Sequence, residues 1–178
     1  TENIRGTTRI GYYWNNATTQ SRIHDSALYE GGLIHQINSS TRHSLYTGLV
    51  YDDDVYGDDG LYNYTRYTLA HTFSPRVTTR LFVGTQNRRD DKELTRWNTG
   101  LHLSANISDY ANIRLLARYE NTKHSTISPS DRWIYRAGLR YRMMSRLHLE
   151  LNYQYEDLHR TDGGFDEHFF YAALTRTF

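Results

Sequence analysis

The sequence predicts an all-β fold: a transmembrane, antiparallel, up-and-down β-barrel of about ten strands. Three observations predict it. Apolar and polar residues alternate with period two along nearly the whole chain. Sixteen Tyr, six Phe and three Trp make 14% of the residues aromatic, and most of these rings fall on the apolar parity of the alternating stretches. The connections between those stretches are short and long by turns. Hydrophobic content is 38% and mean hydropathy is -0.77, values usual for a water-soluble protein. In a membrane barrel only every second strand residue meets lipid, so average hydropathy conceals the membrane face. No run of about eighteen apolar residues could form a membrane helix.

The later strands show the pattern most cleanly. In the ninth, Leu147, Leu149, Leu151, Tyr153 and Tyr155 oppose His148, Glu150, Asn152, Gln154 and Glu156. In the eighth, Trp133, Tyr135, Ala137, Leu139, Tyr141 and Met143 oppose Arg132, Arg136, Gly138, Arg140 and Arg142. The seventh sets Ile113, Leu115, Ala117 and Tyr119 against Arg114, Arg118 and Glu120. The sixth sets Trp97, Leu101, Leu103 and Ile107 against Arg96, Asn98, His102 and Ser104. The fifth sets Val77, Leu81 and Val83 against Arg80, Gln86 and Arg88. The first four strands are expected near 5–15, 26–38, 43–54 and 61–73. The fourth is the least regular, because Asn63 and His71 share its apolar side.

Short turns are expected at Asn38–Arg42, Ser74–Arg76, Ser108–Tyr110 and Met144–Arg146, and longer polar connections at Asn15–Asp25, Asp52–Gly60, Asn87–Glu93, Asn121–Asp131 and Asp157–Glu167. Both prolines, Pro75 and Pro129, fall in connections, since proline cannot donate to a sheet ladder. Aromatic residues on the apolar parity form two expected girdles. Trp14, Tyr29, Tyr51, Trp97, Tyr119, Trp133, Tyr135, Tyr153, Tyr155 and Phe170 lie toward the long connections, and Phe73, Tyr141 and Phe178 toward the short turns. A water-soluble barrel or sandwich is the competing fold. It would have to pack Trp133, Tyr135, Tyr153 and Tyr155 inside a small core.

The chain reads as one domain over residues 1–178, either a mature chain or the C-terminal part of a longer barrel protein. Cysteine is absent, which is compatible with an envelope location without demanding it. A net charge of +1 argues against nucleic-acid binding. No cofactor or metal is expected. The nine histidines are scattered, and none has helix-type or finger-type ligand spacing. Asp52, Asp53, Asp54, Asp58 and Asp59 could attract a divalent cation, but they read first as a solvated loop tip.

The polar parity carries the chemistry. Arg80, Arg96, Arg114, Arg118, Arg132, Arg136, Arg140 and Arg142, with Glu150, are the candidate lumen and anion-path residues. Two uses compete. The charged side chains could fill a narrow barrel with a hydrogen-bonded network, or they could line an aqueous path that favours anions.

The last strand, D-E-H-F-F-Y-A-A-L-T-R-T-F, resembles the C-terminal strand of bacterial outer-membrane β-barrels, which typically ends on Phe. Arg176 departs from that pattern. The stretch Leu149–Phe178, with its Y-Q-Y-E-D strand and D-G-G connection, resembles the closing hairpin of β-barrel porins encoded beside bacterial exopolysaccharide genes. The resemblance implies an outer-membrane location with both termini periplasmic. It also implies contact with membrane lipid and lipopolysaccharide, and recognition of the C-terminal strand by the barrel-assembly machinery. The implied role is a non-enzymatic pore, or the membrane component of an export or conduit assembly with an envelope protein partner. Strand count, an Asp-x-Asp pair (Asp52, Asp54) and an Asp-x-His pair (Asp157, His159) also resemble the omptin proteases, which gives an enzymatic alternative. A sealed structural anchor is the third.

Overall fold

A computed structural model describes residues 3–13, 26–52, 60–88, 94–124, 128–145 and 147–176. It contains ten strands: β1 (Asn3–Tyr13), β2 (Ser26–Gln36), β3 (Thr41–Asp52), β4 (Gly60–Ser74), β5 (Val77–Arg88), β6 (Leu94–Asn106), β7 (Ala111–His124), β8 (Ser130–Met144), β9 (Leu147–Arg160) and β10 (Gly163–Arg176). Each pairs antiparallel with its neighbour in the chain, so one sheet runs in order from β1 to β10. Among the described residues no ladder joins β1 to β10, and these two strands are the edges of the sheet. Both faces of β1 are exposed from Asn3 to Tyr12, and β10 is exposed throughout except at Ala173.

The register fixes the faces, because residues paired directly across an antiparallel ladder point to the same side. One row runs Tyr46, Arg66, Gly84, Asn98, Glu120, Arg132, Leu158 from β3 to β9. A row of the other parity, three residues nearer the tight turns, runs Leu101, Ala117, Tyr135, Tyr155, His168 from β6 to β10. The sheet therefore has one polar and one apolar face, with the parity that the sequence predicts.

The tight turns are built from short polar side chains that replace backbone partners. The Asn38 carboxamide oxygen accepts from the amides of Ser40 and Thr41 at 2.9 and 2.8 Å. Ser74 Oγ accepts from Arg76 N at 3.3 Å, and Ser108 Oγ from Tyr110 N at 3.2 Å. Two register shifts, at Thr72/Ser74 and Arg142/Met144, adjoin turns at this same end of the sheet.

One expected connection is corrected. The stretch Asp157–Glu167 is not a long loop: β9 continues to Arg160, and the ladder restarts at Gly163 after the two-residue turn Thr161–Asp162. Polar residues on both parities read as loop in the sequence. A strand that leaves the membrane can carry them, however, and Asp-Gly is a hairpin signal. Gly163 sits at φ 138°, a conformation L side chains rarely adopt.

Burial concentrates on the polar face toward the end opposite the tight turns. Tyr62, Leu94, Ile134 and Leu158 are buried there with Asn98, Glu120 and Glu156. Leu49 and Leu61, on the apolar parity, are buried as well. Rings on the polar face lie over cross-strand glycines. Tyr64 passes over Gly48 and donates its hydroxyl to Glu30 on the next strand. Phe82 covers Gly100, where an added Cβ would sit 2.7 Å from the Ala117 carbonyl oxygen.

Candidate functional site: an arginine-rich polar face

All nine candidate lumen residues lie on this polar face by register: Arg80, Arg96, Arg114, Arg118, Arg132, Arg136, Arg140, Arg142 and Glu150. Arg96, Arg118 and Arg132 lie toward the buried end and the others toward the tight turns, with Arg136 linking the two groups. Toward the buried end, Arg132 grips Glu156 with Nε at 2.6 Å and Nη2 at 2.8 Å. Its Nη1 is 3.5 Å from Glu120, which also pairs with Arg118. Gln154 donates to Glu156 at 3.3 Å and accepts from Arg136 Nε at 2.7 Å. The result is one continuous network across β7, β8 and β9. Its two carboxylates are buried and charge-paired, as buried charge requires.

Toward the tight turns the balance is different. The rows there bring in Arg42, Arg80, Arg114, Arg136, Arg140 and Arg142. Glu150 is the one carboxylate on the polar face in these rows among the described residues, and Arg114 holds it at 2.7 Å. Arg80 and Arg140 form no ion pair with any described residue. A cleft of about 410 Å³ opens beside this group. Arg114, Arg136, Glu150, Asn152 and Gln154 line it together with Phe169 and Tyr171 of β10. The two rings were hidden in the sequence within the run Phe169-Phe170-Tyr171, where the apolar-parity Phe170 masks its neighbours. Their signal was parity alone.

The apolar face carries a belt of rings. Trp97 meets Tyr119 edge-on at 6.0 Å, Tyr119 meets Trp133 at 4.8 Å, Trp133 stacks with Tyr135 at 5.9 Å, and Tyr135 with Tyr155 at 6.1 Å. Across β10, His168 closes on Tyr155 at 4.9 Å and accepts or donates a 2.7 Å hydrogen bond with Tyr153. Polar tips are satisfied on the side away from the tight turns: Trp97 Nε1 donates to Asn121 at 2.9 Å and Tyr119 to Asp131 at 2.6 Å. Phe170 and Tyr51 share this face, whereas Trp14 and Phe178 lie outside the described residues. From Trp133 to Tyr141 the band spans eight residue steps, about 26 Å along the strand, close to the height of a membrane barrel's apolar belt.

The Asp157–His159 pair forms a 3.0 Å contact. It lies on the belt side of β9, level with Trp133 and Asp131. Asp52 ends β3, which five strands separate from β9 in the sheet, and Asp54 lies outside the described residues. Among the described residues no three His, Asp or Glu side chains converge on a metal position.

No protein-family model matches the chain, and no curated protein matches it in sequence. Solved structures do match in fold. The siderophore receptor PirA from Pseudomonas aeruginosa aligns with a TM-score of 0.67 at 14% identity, over 98% of this chain and 35% of that one. A loop-deletion mutant of OmpT, an outer membrane protein of Vibrio cholerae, aligns with a TM-score of 0.69 at 13% identity, over 98% of this chain and 61% of that one. The chain thus has the fold of bacterial outer-membrane β-barrel proteins, and it spans less than two thirds of the length of these two.

Proposed function

We propose that this chain forms wall of an outer-membrane pore, or of the membrane component of an export or conduit assembly, with the arginine-rich face lining the path. It acts on no substrate chemically in this reading. The observation that carries it is the excess of arginine over carboxylate on the polar face toward the tight turns. Fixed positive charge lowers the entry barrier for anions, and sealing so much of it in a dry plug would be costly. The aromatic belt supports contact with lipid and lipopolysaccharide on the other face. The tight-turn end is periplasmic in this reading, together with both termini.

The test is conductance of the refolded chain in a planar bilayer, with the reversal potential read under a salt gradient. A steady anion-selective current is expected. A second reading, a non-conducting anchor, draws on the paired network of Arg118, Glu120, Arg132 and Glu156. A folded protein that passes no current favours that reading.

A further inference from the structure

At the tight-turn rim of the polar face, a cleft of about 410 Å³ lies between the β5 to β9 ends. From its lining we infer that it is an oxyanion site for a phosphoryl group, built on Arg140, Arg142, His148 and Arg76. The inference deepens the anion-path reading and rests on it for its role.

Each donor is available for a stated reason. Arg140 sits directly across from Glu150, but Arg114 occupies that carboxylate at 2.7 Å, so among the described residues the Arg140 guanidinium remains without a carboxylate. His148 pairs across from Arg142, and its Nδ1 is buried with no hydrogen-bond partner among the described residues. A buried ring nitrogen without a partner is costly, and a ligand oxygen would relieve it. Arg142 is held in place by donating from Nη2 to the Asp109 carbonyl oxygen at 3.0 Å and by lying over the Tyr110 ring at 5.1 Å. Its remaining N–H groups are not used by any described residue. Arg76 faces the Asp109 carboxylate at 3.5 Å, with both groups largely exposed, a weak pair that a dianion can displace. Planar guanidinium forks suit phosphoryl oxygens, which accept two parallel N–H bonds. Among the described residues Asp109 is the one opposing charge in the lining.

The phosphoryl group could belong to a free anion in transit or to a phospholipid headgroup of the adjoining leaflet. The experiment is calorimetric titration of the full chain in detergent, first with inorganic phosphate and then with dihexanoylphosphatidylglycerol. Saturable binding of at least one probe is expected, and the tighter of the two identifies the source. Arg140→Gln and His148→Gln should each weaken it by about tenfold, the usual consequence of losing a charge-assisted hydrogen bond. Arg160→Gln, at the opposite end of β9 and outside this cleft, should leave it unchanged. Asp109→Asn should tighten it by about twofold to fivefold. Circular dichroism of every variant shows that the sheet is intact. Absence of binding by both probes overturns the inference, as does unchanged affinity in folded Arg140→Gln and His148→Gln. Binding without bilayer current would retain the site and remove the pore, and current without binding would do the reverse.

Discussion

Glu120 and Glu156 are each only 5% exposed, and Arg132 lies between them. Removing one carboxylate leaves a buried guanidinium half-compensated, which costs far more than the pair contributes in net terms. Glu156→Gln should therefore destabilise the folded chain by about 3 kcal/mol, measured by urea unfolding in lipid. Arg136→Gln, whose partner is the neutral Gln154 on an exposed rim of the network, should cost under about 1 kcal/mol. Gly100→Ala should cost about 2 kcal/mol in the same assay, because the Ala117 carbonyl oxygen cannot move away from the new Cβ. At this scale the arginines were legible in the sequence, since alternation assigns each charge a face. The pairing of Arg132 with Glu156, from strands joined by a tight turn, was not. It depends on register, and the bulge at Arg142/Met144 shifts that register. Tyr64 reaching over Gly48 to Glu30 was equally hidden, because it joins three strands.

At the scale of the strand, face decides the effect of a substitution. Leu115 and Leu116 are neighbours on β7 with opposite parity: Leu115 pairs with Leu103 and Ala137 on the apolar face, and Leu116 with His102 and Arg136 on the polar face. Leu115→Arg should destabilise the protein in a bilayer by about 2–4 kcal/mol, the range for a cation set against lipid near mid-membrane. Leu116→Glu should cost less than about 1 kcal/mol, as it adds a carboxylate beside Arg136 and His102 on the polar face. Equal penalties would contradict a lipid-facing apolar side. The β9–β10 hairpin is the element least legible in the sequence. Its strand ends are polar on both parities, so alternation fades at Asp157, and the turn signal Asp162-Gly163 was absorbed into an expected loop. Gly163→Val should loosen this hairpin by about 1–2 kcal/mol, read as faster amide exchange at Arg160 and Gly164.

For the whole molecule, strand number and order were legible because ten alternating segments and their connections leave an up-and-down sheet little choice. The edges were not, since alternation says nothing of which strand lacks a neighbour. The polar face makes a prediction at this scale. In conducting protein, Arg136→Glu with Arg140→Glu should move the reversal potential toward cation selectivity, because the pair reverses charge in the rows where arginine is in excess. An unchanged reversal potential would place the current elsewhere.

The edge strands carry one arithmetic consequence. β1 and β10, being first and tenth in an alternating sheet, run in opposite directions. Joined to each other they make an antiparallel seam. Any strands set between them keep that alternation only if they come in pairs. Whatever completes the circle contributes an even number of strands, zero included. A lone strand added at one edge would force a parallel seam into an otherwise antiparallel wall.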